Sequence, residues 1–212
     1  MAKKISSSEI RVPTVESVEV ARRAFAAQEP RHLFYRVATE LIDLALKNQT
    51  KVSVAEALAV LLQTWNAQFY RFGRVNFDEE HFQRIELLVT NNLASIEGYR
   101  RRSISGFAAD DEDRVRLLFS RFEDVLGAVG AAKSLHLLAP SFFPLWDRKI
   151  AKAYHLNLDG GAFDEYIKFM RLTQRQRRAL AEQGAKWSDT LKALDEYNFC
   201  TYTLKVDSQS AP

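Results

Sequence analysis

Cysteine is almost absent from this chain: Cys200 is the only one in 212 residues. A lone cysteine excludes an intrachain disulfide, a cysteine-based zinc finger and a four-cysteine iron–sulfur cluster. Glycine and proline are scarce as well, at 8 and 5 residues. A turn-rich all-β fold needs more of both, so the shortage favours helices. No apolar run approaches the roughly 18 residues of a membrane span. Neither sign of charge dominates, since 30 Lys and Arg against 27 Asp and Glu leave a formal charge of +3. That excess alone does not identify a nucleic-acid binder. Met1-Ala-Lys-Lys runs into serines rather than an apolar segment, so no secretory leader is expected. Together these absences predict a protein of the reducing, cytoplasmic interior.

What is present is a globular composition, 47% hydrophobic and 11% aromatic, with enough length for a real core. Residues 1–12 and 207–212 read as flexible tails around one all-α domain, 13–206, of about eight or nine helices and no internal repeat. Two lobes within that unit are compatible with the pattern. Thr14 to Ala27 predicts a first helix, broken at Glu29-Pro30. A second runs from Arg31 to Lys47, with Leu33, Phe34, Val37, Leu41 and Leu44 at helical spacing. Ser53-Val-Ala-Glu56 is a capping box. It opens a helix through about Phe72, with Gly73 suited to its end. Asp78-Glu79-Glu80 and Asp110 to Asp113 open two more helices, where carboxylates favour the positive end of the dipole. A tight hairpin is expected at Gly127-Ala128-Val129-Gly130, then a short helix to Leu138 and a proline-bounded connector, 139–146. Asp147 starts a helix to about His155. A long basic helix spans Ala162 to Gln183, Gly184 stops it, and a last helix runs from Ser188 towards Phe199. The β-branched and aromatic stretch 199–206 leaves a short strand open.

The chemistry-bearing stretch is Leu126 to Tyr154. Two glycines three apart let a backbone turn sharply and approach another group closely. The helix behind the second would aim free N–H groups outward, which suits a phosphate. Lys133 lies in its first turn, and Asp147 opens the next helix. Starts of neighbouring helices can bring such a pair across a cleft.

Leu126-Gly127-Ala128-Val129-Gly130, Lys133 and Phe143-Pro144-Leu145-Trp146-Asp147 resemble the helix-hairpin-helix DNA glycosylases, the superfamily of endonuclease III and 8-oxoguanine glycosylase. Ala59-Val60-Leu61-Leu62-Gln63-Thr64-Trp65-Asn66 resembles a second motif there, a helix that delivers polar residues to the gap left by an extruded base. The likeness covers about residues 52–155. Gly127 stands where that family has proline, and Ala128 where it has glycine. Lys133 comes one residue late, a rotation of about 100° on a helix. The interval from Lys133 to Asp147 is a few residues shorter, and the cluster cysteines of endonuclease III are missing.

The resemblance implies a helix-hairpin-helix element near 110–139 and a DNA partner carrying a damaged or modified base. It implies base extrusion and cleavage of the N-glycosidic bond, with abasic-site lyase activity if a lysine attacks the sugar. Lys133 would be the nucleophile and Asp147 would stabilise positive charge on the sugar or deprotonate the attacking group. Trp65, Asn66, Tyr70, His136, Phe143 and Trp146 would form the base pocket. Gly127, Val129, Gly130, Arg100, Arg101, Arg102, Arg148 and Lys149 would hold DNA.

Each residue also has an ordinary role. Lys133 reads as a solvated helix lysine, Asp147 as an N-cap, Trp65 and Trp146 as core, and His136 as a satisfied core histidine. Ser134 and His136 are too close on one helix to form a nucleophile–base pair. His32, His81 and His155 lack metal-ligand spacing, so neither metal nor cofactor is expected. Gly-x-Ser-x-Gly, Walker and dinucleotide motifs are absent. Three readings follow: a glycosylase, a non-catalytic DNA- or RNA-binding module of the same fold, and a helical interaction protein.

Overall fold

The computed structural model describes residues 12–27, 31–72 and 75–205. Nearly all of the expected 1–12 and 207–212 tails, the Glu29-Pro30 break and the Gly73 helix end lie outside them. Among the described residues the chain is all-helical, in nine α-helices without a strand. Local chemistry starts several of them. Thr14 and Ser17 form a capping box that opens α1 (Val15–Ala26). α2 (Arg31–Leu46) follows. Ser53 and Glu56 exchange hydrogen bonds at the head of α3 (Val54–Trp65), as their spacing predicts. The Asp78 carboxylate accepts from the His81 N–H and opens α5 (Glu79–Arg100).

One predicted helix is two. The stretch 57–72 divides at Asn66 (φ −112°, ψ 20°) into α3 and α4 (Ala67–Phe72). Asn66 is buried, and its side-chain amide donates to the Leu126 carbonyl at 3.0 Å. A tertiary bond, invisible in a helical periodicity, sets this elbow.

Two 3-10 turns (Ile104–Gly106 and Ala109–Asp111) lead into α6 (Glu112–Leu138). The hairpin expected at 127–130 is narrower than the sequence suggests. Gly127 alone leaves helical geometry (φ 69°, ψ 165°), and helix resumes at once. A positive φ is cheap only for glycine. α6 packs against α8 (Phe163–Glu182), α5 and α2, so it forms the spine of the molecule.

The connector then crosses the core. The Phe119 and Tyr166 rings stack 4.2 Å apart, and Trp146 meets both edge-on. The Trp146 indole donates to the Ala128 carbonyl at 3.1 Å, and the Tyr166 hydroxyl donates to that of Pro144 at 2.9 Å. These bonds fix the lead into α7 (Arg148–Ala153). Gly184 (φ 87°) lies just beyond α8. α9 (Thr190–Asn198) packs against α1, which joins the two ends of the described chain.

The open strand alternative at 199–206 is corrected: Phe199–Leu204 is a π-helical turn ended by Lys205 at φ 56°. A solitary strand leaves backbone groups unpaired, whereas a helical turn satisfies them internally. One buried apolar cluster draws on every helix except α4. The unit therefore has a single continuous core.

Candidate functional site

A cavity of about 310 Å³ opens where α1, α2, α3, α6, α7 and α9 meet. Phe25, Phe34, Trp65, Trp146 and Phe199 supply aromatic wall, with Leu145 and Ile150. Thr64, Lys133, Asp147, Lys192 and Asp195 supply the polar groups. An apolar chamber with a few convergent polar groups is the usual form of a small-molecule or base pocket.

Lys133 and Asp147 both line this cavity, although Lys133 lies beyond the first turn after the Gly127 break, inside α6, and not at a helix start. Both positions follow from the same lock. Trp146 is held to Ala128, one residue past the break in α6. Asp147 is its neighbour, and Lys133 lies five residues beyond Ala128 on the same helix. Each charged group also serves the fold. Lys133 Nζ donates to the Trp65 carbonyl, a C-terminal carbonyl of α3 with no partner inside its own helix. Asp147 caps α7, its Oδ1 accepting from the Lys149 and Ile150 N–H groups, both at 2.8 Å.

Trp65 and Trp146 line the cavity; the other four expected pocket residues do not. Asn66 is spent on Leu126, beneath Gly130. Tyr70 sits in a separate aromatic group with Phe69, Phe77 and His81, its hydroxyl 3.1 Å from His81 Nε2. Phe143 is fully buried against Tyr99 and Phe142. His136 is fully buried behind the wall. Its Nδ1 lies 2.7 Å from the Phe143 carbonyl, which can only accept, so the proton is on Nδ1. Nε2 then accepts from the Tyr35 hydroxyl at 3.0 Å. Burial pushes the His136 pKa down to about 4, so the ring is neutral at pH 7. Tyr35 in turn stacks on Trp65 at 5.8 Å, which makes His136 a support for the aromatic wall.

The glycines approach this chain's own side chains. A Cβ on Gly127 would stand 2.9 Å from the Phe69 ring, and one on Gly130 2.6 Å from Asn66 Nδ2. The close approach expected for a phosphate is therefore made by the α3–α4 elbow. Val129 is half-buried beside them.

The basic candidates divide in the same way. Arg100 donates to the Leu138 carbonyl at 2.8 Å and to Asp43 at 2.6 Å, tying the end of α6 to α2. Arg102 grips both oxygens of Asp111, at 2.8 and 2.6 Å, with its guanidinium 4.9 Å from the Phe142 ring centre. Both are structural clamps. Arg101 and Lys149 are exposed, and Arg148 makes one loose surface pair with Asp159 at 3.3 Å.

Two charged residues of the cavity were not anticipated. Lys192 has a side chain only 5% exposed. It lies 2.7 Å from Asp195 Oδ2, and 4.3 and 4.6 Å from the Phe25 and Tyr35 ring centres. Glu196 stands 3.9 Å from it and 3.0 Å from Arg22. Desolvation outweighs those two cations and lifts the Glu196 pKa to about 7. The available signal was a lysine flanked by Leu191, Ala193 and Leu194, with acids three and four residues on.

A second cavity of about 290 Å³ lies between α5 and α6, lined by Asn92, Ser95, Gly98, Tyr99, Arg102, Arg114, Leu117, Leu118 and Arg121. Its guanidiniums are engaged: Arg114 reaches Asp111 at 3.2 Å and Arg121 donates to Asn92 Oδ1 at 2.8 Å.

Among the described residues, no cluster of His, Cys, Asp and Glu is arranged to hold a metal, and no helix is long and apolar enough to cross a membrane. Comparison of the chain with known protein families, curated proteins and solved structures found no match.

Proposed function

We propose that this protein is a DNA glycosylase that extrudes a damaged or modified base into the aromatic cavity and cleaves its N-glycosidic bond. The observation that carries the reading is the convergence of Lys133 and Asp147 on one cavity with Trp65 and Trp146. A base inside a duplex is out of reach, so such an enzyme needs a chamber that stacks an extruded ring beside its reactive groups. Once the Lys133 ammonium has given a proton to water, its amine attacks C1′ as the bond from C1′ to the base nitrogen breaks. The bonding pair leaves with the base, which takes up a proton. The Asp147 carboxylate balances the positive charge that grows on the sugar. The first amine proton goes to the departing base; the second goes to O4′ as the C1′–O4′ bond breaks and the sugar ring opens, leaving the imine that permits β-elimination at the strand. Exposed Arg101, Arg148 and Lys149 are the candidate phosphate contacts.

The structural roles of the two residues dictate the variants. Lys133→Arg keeps a cation for the Trp65 carbonyl but removes the nucleophile, because a guanidinium does not deprotonate in proteins. Asp147→Asn keeps a good N-cap and removes the charge. The test is borohydride trapping on duplexes carrying an abasic site, uracil, 8-oxoguanine or an alkylated purine. A covalent complex with wild type, lost in Lys133→Arg and slowed at least 100-fold in Asp147→Asn, is the expected result. Salt-sensitive duplex binding without trapping or base release, unchanged in Lys133→Arg, would replace the enzyme with a binding module of the same fold.

A further inference from the structure

Lys192 and Asp195 lie in the wall of the cavity, yet the bond-breaking scheme above leaves them idle. They come from α9, and neither is close in sequence to Lys133 or Asp147. Their geometry is fixed. The Lys192 ammonium is held against the Phe25 and Tyr35 rings and bonded to Asp195 Oδ2 at 2.7 Å. The Asp195 side chain is 16% exposed, and its Oδ1 has no hydrogen bond among the described residues. The pair therefore presents a donor beside an acceptor, at the edge of a chamber whose walls suit a flat ring.

We propose that the Lys192–Asp195 pair reads the edge of the bound ring and selects a base that carries a carbonyl next to a ring N–H. This rests on the glycosylase reading of the same cavity and adds its substrate class: lactam and imide bases of the uracil and hypoxanthine kind. The complementarity is a matter of hydrogen-bond sense. An ammonium only donates and a carboxylate only accepts. A lactam edge offers the reverse order, with oxygen towards Lys192 and N–H towards Asp195. An imide or lactam N–H is also a stronger donor than an amino group, so uracil and hypoxanthine, like thymine and guanine, which present the same edge, are favoured over cytosine and adenine. A methyl group on that nitrogen removes the donor and leaves the Asp195 oxygen, covered by the bound ring, unmatched, the costly way to lose a hydrogen bond.

The experiment is equilibrium binding, by fluorescence anisotropy, of duplexes that differ in one base. Uracil is compared with N3-methyluracil, and hypoxanthine with N1-methylhypoxanthine. Each is placed opposite an abasic spacer so that none is paired. Lys133→Arg alone, which keeps the wild-type residue at 195 and serves as the reference, is compared with Lys133→Arg carrying Asp195→Ala or Asp195→Asn, so that chemistry does not deplete the substrate. Thermal unfolding confirms that each variant is folded. The expected result is at least tenfold tighter binding of the unmethylated member of a pair, falling to within about twofold in Asp195→Ala. Asp195→Asn, which retains an acceptor oxygen, falls between them. Equal affinity within both pairs for the Lys133→Arg reference, or a ratio unchanged by Asp195→Ala, overturns the proposal while trapping through Lys133 still stands. Absence of duplex binding in every case overturns both.

Discussion

The two cavities are almost equal in size, about 310 and 290 Å³, and differ in how their charges are held. Behind the groove between α5 and α6, the buried Asp111 holds two of the lining arginines. It accepts from Arg102 through both oxygens, from Arg114 and from the Ala108 N–H. Its hydrogen bonds to Arg102 hold its pKa down to about 2. In the aromatic cavity the charged groups are spread over α6, α7 and α9, and the groups behind them are desolvated. His136 is driven down to about 4 and Glu196 up to about 7. Volume alone therefore says little. Cations whose partners already surround them brace a fold. Charges and rings brought from several elements to one chamber can act on something that enters it.

The comparison breaks first at Asp111. Its side chain is 4% exposed, and Asp111→Ala removes both charge-assisted bonds from Arg102 and leaves the Ala108 N–H without its acceptor. The variant should cost about 3 kcal/mol in urea unfolding, with the aromatic cavity intact by tryptophan fluorescence. A loss below about 1 kcal/mol, the range of a surface pair, would mean that the groove does not brace the α5–α6 junction.

The second contrast is in pH. Asp111 has a folded pKa below its unfolded value. The stability it adds is present above about pH 4 and fades as the pH falls towards 2. The residues behind the aromatic cavity act at milder pH and in opposite senses. His136 takes up a proton near 6.5 when unfolded but near 4 when folded, so stability falls as pH drops through that window, by about 3 kcal/mol in all. Glu196 keeps its proton to about 7 when folded but loses it near 4.5 when unfolded, so its share of stability falls as pH rises through that window. Urea midpoints between pH 4.5 and 7.5 separate the two. Glu196→Gln should make stability rise more steeply with pH than in wild type, and His136→Gln should make it rise less or fall. Parallel curves for all three proteins would remove the desolvated pair from the account.

The smallest effect is expected at Arg148. Its bond to Asp159 is 3.3 Å long between side chains 72% and 78% exposed. Arg148→Ala should change stability by less than about 0.5 kcal/mol. A duplex-binding salt slope shallower by about one unit would place the freed guanidinium on a phosphate. An unchanged slope would remove it from the DNA-binding face.

How much of this could be read in advance depended on distance along the chain. Helix starts at Thr14, Ser53, Asp78 and Asp147 were legible because a cap and its target lie within three residues. The break at Gly127 was legible as a turn, though not as a single-residue one. Lys133 and Asp147 share a cavity, but through the Trp146–Ala128 bond and not through two helix starts. The arginines at 100 and 102 read as phosphate ligands because their partners, Asp43, Leu138 and Asp111, lie nine or more residues away. Asn66 read as a base-pocket residue for the same reason: its partner Leu126 is 60 residues on.

The sequence by itself determined the all-helical class, most helix boundaries and the position of the break in α6. Those depend on composition, periodicity and caps, which act over a few residues. Only the tertiary structure decided which charges became clamps and which face a cavity. It also brought Lys192 and Asp195 of α9 beside Lys133 and Asp147. Side chains some sixty residues apart meet only after the core has packed, and the core is chosen by the burial of apolar surface, which carries no local signature of where a given lysine will end.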